Sequence, residues 1–212
     1  MKREENVINY YVICNRLKDV IRTGWKDWEV NRDRIESVAE HIYGTQMLAI
    51  AIYSEYKYDI DIYKVIMMLA IHELGECFIG DITKFQISKS EKEKIEHEAV
   101  HKILSDLIDG DKLEELFLEF DSHSSKEAKF AYQCDKLECC LQCKLYDLEG
   151  CVNLDNIDIN SSKSDEDVKR LLSEGNSWST MWIKYWKDMN VFDDNFMAIC
   201  DYAIMNDIDE IQ

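Results

Sequence analysis

IHELGECFIGD, residues 71–81, carries a histidine, two glutamates and an aspartate, with Gly75 and Gly80 set among them. The run before it, VIMMLA at 65–70, is apolar on every side, which predicts a buried helix, the third in the chain, spanning 62–76. Successive helical residues turn by about 100°. With His72 at zero, Glu73 falls near about 100° and Glu76, one turn on, near about 40°, so the three side chains form one patch at the end of a buried helix. Ionisable groups there are costly unless something pairs with them. A divalent cation is one such partner, because it accepts both imidazole and carboxylate. The plain alternative is a helix end whose charges face water, and periodicity alone does not separate the two.

The flanking sequence also reads as helix. A first helix is expected over 6–21, followed by a polar link, RTGWKDWEVNRDR. The second runs from Ser37 to Tyr56, opened by a capping box of Ser37 with Glu40, with Asp33 and Glu36 as a competing start. A charged fourth helix covers 89–108 and a shorter one 111–120; Ser124 with Glu127 caps a long helix reaching Glu149. Residues 151–164 are polar and acidic and read as a loop, with further helices at 165–174, 177–189 and 193–205. The chain has no proline, which suits long helices. The expected fold is all-α: one bundle-like domain over residues 1–212, with a core at 22–150 and a C-terminal helical extension at 165–212.

Charge and cysteine usage narrow the functional classes. A formal net charge of −18 argues against a broad interface with nucleic-acid phosphates, which needs clustered Lys and Arg. It leaves a small phosphate ester open, since a bound cation and a few arginines reverse the potential locally. No apolar run of about 18 residues is present, so no membrane span is expected. MKREENVINYYVIC at the start lacks the apolar core of a signal peptide, so the expectation is a cytoplasmic protein whose eight cysteines are reduced. Cys140-x-x-Cys143 has no second pair and reads as core thiols rather than a zinc site. Trp178, Trp182 and Trp186 recur every four residues, a packing stripe or a homodimer surface. HEAVH at 97–101 matches a zinc-protease signature. It follows the charged run SEKEKIE, so an exposed helix face is expected instead.

Two more residues decide how the opening stretch is read. His41 stands in ESVAEH, in the first turn of the second helix, and Asp135 in KFAYQCDKLECC, inside the long one. Together with His72 and Glu73 they give the order His, His-acid, Asp. With RTGW at 22–25, RIESVAEH at 34–41, HELGECFIGDI at 72–82 and SSKEAKFAYQCDKLE at 124–138, the chain resembles the HD-domain metal-dependent phosphohydrolase superfamily, closest to the bacterial 5′-deoxynucleotidase branch. The resemblance covers Arg22 to Glu149 and implies an all-helical HD bundle that holds one divalent metal ion: Mn, Co, Zn, Fe, Ni or Mg. It implies His41, His72, Glu73 and Asp135 as ligands, with Glu73 standing where the family has aspartate. Glu76 then matches the residue that positions or deprotonates the attacking water, and Asp81 a carboxylate that orients water and substrate. Arg22 matches the phosphate-binding arginine and Trp25 its aromatic neighbour near the nucleoside, with Trp28 a rival for that place. Arg34 and Lys84 are further sources of positive charge. The implied reaction is hydrolysis of a (deoxy)nucleoside 5′-monophosphate by a metal-activated water. Nucleoside triphosphate hydrolysis, or a non-catalytic HD module that binds a nucleotide or a protein, are the alternatives.

Overall fold

The computed structural model describes residues 2–83, 85–155 and 162–209. Among the described residues no β-strand forms; the nearest approach is one isolated antiparallel bridge between Ile21 and Ser37. The all-α expectation holds.

That bridge ends the first helix early. Helix α1 spans Arg3–Cys14 and passes into a tight 3₁₀ turn at Asn15–Lys18, so the helix expected over 6–21 starts sooner and stops short. The Val38 N–H donates to the Val20 carbonyl at 2.8 Å and the Arg22 N–H to that of Glu36 at 3.1 Å. Residues 20–22 are thus drawn out of the helix. The expected polar link is partly core: α2 (Thr23–Asp27) lies within it, and Trp25, Trp28 and Val30 are buried. Helix α3 (Val38–Tyr56) starts where its sequence says. Ser37 accepts from the Glu40 N–H, and the Glu40 carboxylate accepts from the Ser37 N–H at 2.9 Å.

Helix α4 (Ile62–Ile71) is capped by Asp61, and the short α5 spans Glu76–Ile79. The third helix, expected to run unbroken over 62–76, is therefore interrupted at His72–Gly75. There the bonds tighten to three-residue spacing: the Leu74 N–H donates to Ile71, Glu76 to Glu73 and Cys77 to Leu74. Helix α6 (Lys89–Leu104) opens with a second capping box, Ser88 with Glu91, and α7 covers Gly110–Asp121. Helix α8 (Lys126–Leu148) is capped one residue later than expected, by Ser125, whose hydroxyl accepts from the Ala128 N–H at 3.1 Å. Glu127 instead accepts from the Asp61 N–H. Asp165, Ser177 and Asp193 cap α9 (Glu166–Ser173), α10 (Trp178–Asp188) and α11 (Asp194–Met205). Within the expected loop at 151–164, residues 162–164 form a 3₁₀ turn and 156–161 lie outside the described residues.

The described residues fall into two compact units, Met1–Thr23 with Glu36–Tyr132, and Gly24–Ile35 with Gln133–Gln212. In the first, Leu17, Val38, Ile71, Leu74, Val100, Leu104 and Phe117 build the core. In the second, Trp25, Trp28, Tyr146, Trp178, Met181 and Tyr185 do so. Trp178 packs at 5.9 Å from both Trp25 and Trp28, and Trp182 at 6.0 Å from Trp28, so the tryptophan stripe faces inward at these positions. No helix among the described residues is long and apolar enough to cross a membrane.

Candidate metal centre

His41 sits in the first turn of α3, where the capping box fixes the helix start, and its side chain is fully buried. His72 is the residue that ends α4. Its Nδ1 lies 2.8 Å from the Leu69 carbonyl oxygen. A carbonyl only accepts, so Nδ1 carries the proton and the Nε2 lone pair points the other way. Glu73 Oε1 lies 3.7 Å from His72 Nε2, 3.9 Å from His41 Nε2 and 3.3 Å from Arg22 Nη1. The two imidazoles, the Glu73 carboxylate and a carboxylate oxygen of Asp135 offer ligand-type atoms all within 4.8 Å of one another. Ligands at about 2.0–2.3 Å from one cation stand about 3–4.5 Å apart, so a small closing movement suffices. The donor set, imidazole nitrogen with carboxylate oxygen, is one that divalent transition metals accept. The residues fit the group that the sequence implies.

Glu76 opens α5 and is 1% exposed, and neither of its carboxylate oxygens has a hydrogen-bond partner among the described residues. Burial first, then the charges of Glu73 and Asp81, push its pKa well above the usual carboxylate range, against the pull of Arg22 and Lys92. Asp81 has a different setting. Its Oδ2 accepts from the Thr23 N–H at 2.6 Å, and its main-chain carbonyl accepts from the Thr23 hydroxyl at 2.7 Å. The structure thus places Arg22, Glu73, Glu76 and Asp81 within one unit. Trp25 belongs to the aromatic core of the other, edge-on to Tyr146 at 5.4 Å. Arg34 is exposed, and Lys84 lies outside the described residues.

Comparison with known proteins bears on this arrangement. The HD-domain family model matches residues 14–175. The chain belongs to the HD-domain family. It is 34% identical over 152 residues to 5′-deoxynucleotidase HDDC2 of Danio rerio, covering 69% of this chain and 72% of that protein. To the Homo sapiens protein of the same name it is 35% identical over 149 residues, covering 68% and 70%. A solved structure titled predicted metal-dependent phosphohydrolase, from Magnetospirillum magnetotacticum, superposes with a TM-score of 0.60 at 20% identity over 96% of this chain and 93% of that one, which shows a shared fold.

In this HD domain the longer acid at position 73 spans between the two histidines and Arg22. The HEAVH histidines lie elsewhere. His97 Nε2 pairs with Asp121 at 2.8 Å and His101 Nδ1 with Glu114 at 2.9 Å, so both tie α6 to α7. The preceding residue, Glu96, is the one the sequence reading missed. It shares a 4.8 Å cluster with Glu73 and Glu76, and burial raises its pKa although Lys92 pairs with it at 3.2 Å. A signal for it existed. Glu96 lies three and four residues before Ala99 and Val100, both buried, and so on the inner face of α6. Gly75 admits that face: a side chain there would begin 3.3 Å from the Glu96 carbonyl oxygen.

Proposed function

We propose that this HD-domain protein is a divalent-metal-dependent phosphohydrolase that acts on (deoxy)nucleoside 5′-monophosphates. The observation that carries the reading is the meeting of His41, His72, Glu73 and Asp135, whose ligand-type atoms lie within 4.8 Å of one another. The 5′-deoxynucleotidase names of the relatives supply the substrate class. His41, His72, Glu73 and Asp135 are the residues that would hold the cation. When bound, it supplies positive charge that polarises a phosphoryl group and makes water more acidic.

The other roles fall to the chain's own groups. Arg22, fixed through its backbone to Glu36, presents a guanidinium that suits a phosphate in a two-pronged grip. Glu76 accepts the proton of the attacking water. Burial makes it a stronger base than an exposed carboxylate, which is what the task needs. Asp81 helps orient the attacking water and the substrate near the cation. Trp25, packed edge-on against Tyr146 and Trp178, is the aromatic residue we assign beside the nucleoside.

The test is phosphate release from a panel of nucleoside 5′-mono- and triphosphates, by protein stripped of metal and reloaded with single divalent ions. Release from monophosphates with at least one metal, and none from stripped protein, is expected. Release from triphosphates alone, or from nothing with any metal, overturns the reading. Metal titrations add a second readout. Glu73→Ala should weaken binding by at least about tenfold, because a charged ligand is gone, while Glu73→Asp should retain it. Equal affinity across wild type and both variants removes Glu73 from the ligand set.

A further inference from the structure

We propose that Thr23 is a positioning residue for Arg22, setting the phosphate grip through a two-bond clamp on Asp81; this rests on the phosphohydrolase reading above. Thr23 supplies two donors, its backbone N–H and its hydroxyl, and Asp81 two acceptors, its carboxylate at 2.6 Å and its main-chain carbonyl at 2.7 Å. The main chain is thereby held on both sides of the Arg22 Cα. On one side the Arg22 N–H bonds to Glu36, beside the Ile21–Ser37 bridge; on the other Thr23 bonds to Asp81.

Asp81 can make these bonds because of Gly80, whose φ of 73° and ψ of 174° turn the chain out of α5 in a way side-chain-bearing residues rarely adopt. The linkage therefore runs from α5, which carries Glu76, through Gly80 and Asp81 to Thr23 and Arg22. The proton acceptor and the phosphate-binding arginine hang from one hydrogen-bonded frame. A long arginine side chain loses much freedom when it grips a phosphate, and a fixed root reduces that loss.

This geometry reads a hydroxyl on Cβ, not merely a side chain of that size. Serine keeps both donors; valine keeps the shape and loses the hydroxyl, leaving the Asp81 carbonyl without that donor. Steady-state kinetics of the metal-loaded enzyme on several nucleoside monophosphates tests it. Thr23→Val should raise KM about tenfold for every nucleobase alike, with kcat held within about threefold, because the effect passes through the phosphate. Thr23→Ser should restore the wild-type KM. In an Arg22→Ala background, Thr23→Val should add nothing, since the residue through which it acts is gone. Thermal melts run alongside, and if Thr23→Val melts below the assay temperature, Thr23→Ala carries the same expectation. A wild-type KM for Thr23→Val, a loss in kcat alone, or a full multiplicative loss on top of Arg22→Ala overturns the clamp. Should wild type release no phosphate, both readings fall. Should wild type turn over and Arg22→Ala raise KM while Thr23→Val does not, the clamp alone falls.

Discussion

Glu76 shows what a single buried side chain costs this fold. Its carboxylate is buried, without a hydrogen bond among the described residues, beside the charges of Glu73 and Asp81. Its folded pKa is raised, so the folded chain holds the proton more tightly than the unfolded chain does. The stability linked to that proton is complete below the unfolded pKa of about 4.3, and is lost as pH rises from there through the folded value. The metal-free protein should therefore be stabilised by Glu76→Gln at pH about 7–8, with a smaller gain toward pH about 5. The same substitution should lower turnover about 10²–10⁴-fold, because glutamine accepts no proton. Thermal melts of stripped protein across pH, set beside phosphate release, check both halves. An unchanged melting temperature would mean that the carboxylate is satisfied in solution. His41, His72, Glu73 and Asp135 were marked at this scale as candidate ligands by the ordered motifs they fall in. Thr23 was not, since its partner Asp81 lies 58 residues away and nothing local marks the pairing.

At the scale of the element, α4 and α5 are two helices where periodicity predicts one. The tightening at His72–Gly75 turns the end of α4 into a corner, and on that corner His72 and Glu73 sit. Helix α6 teaches the converse. Its charged sequence suggested an exposed helix, and one face is exposed, yet Ala99, Val100, Ile103 and Leu104 are buried and carry Glu96 inward with them. The HEAVH histidines belong to its contact with α7, not to the centre. Replacing His97 and His101 together with alanine should leave bound metal and turnover intact and lower the melting temperature slightly, since one pair is exposed and the other only partly buried, and such pairs contribute little. Metal analysis of the double variant decides this, and loss of stoichiometric metal would return the zinc-protease reading to consideration.

For the whole molecule, the dominant electrostatic fact is the net charge of −18. Like charges on a compact body repel, and monovalent salt screens that repulsion over about 10 Å at 0.1 M. Raising NaCl from about 20 to about 200 mM should raise the melting temperature of metal-free protein, as measured by circular dichroism. A fall would mean that attractive surface pairs, such as those of Arg170 with Asp188 and Glu174, outweigh the repulsion. The two cores differ in make-up. The first unit is mainly aliphatic with phenylalanine, and the second is built on tryptophan and tyrosine.

The chain by itself determined the helical class, most helix starts and the family. Caps such as Ser37 with Glu40 are contacts between residues three apart, and ordered motifs survive without knowledge of their spatial neighbours. Only the tertiary structure decided that the RTGW link buries two tryptophans, that α4 stops at its own histidine, that Glu96 turns inward and that Asp81 is bonded to Thr23. The reason is common to all four. Burial and hydrogen bonding between residues far apart in sequence override local polarity and periodicity, and neither leaves a mark in a short window.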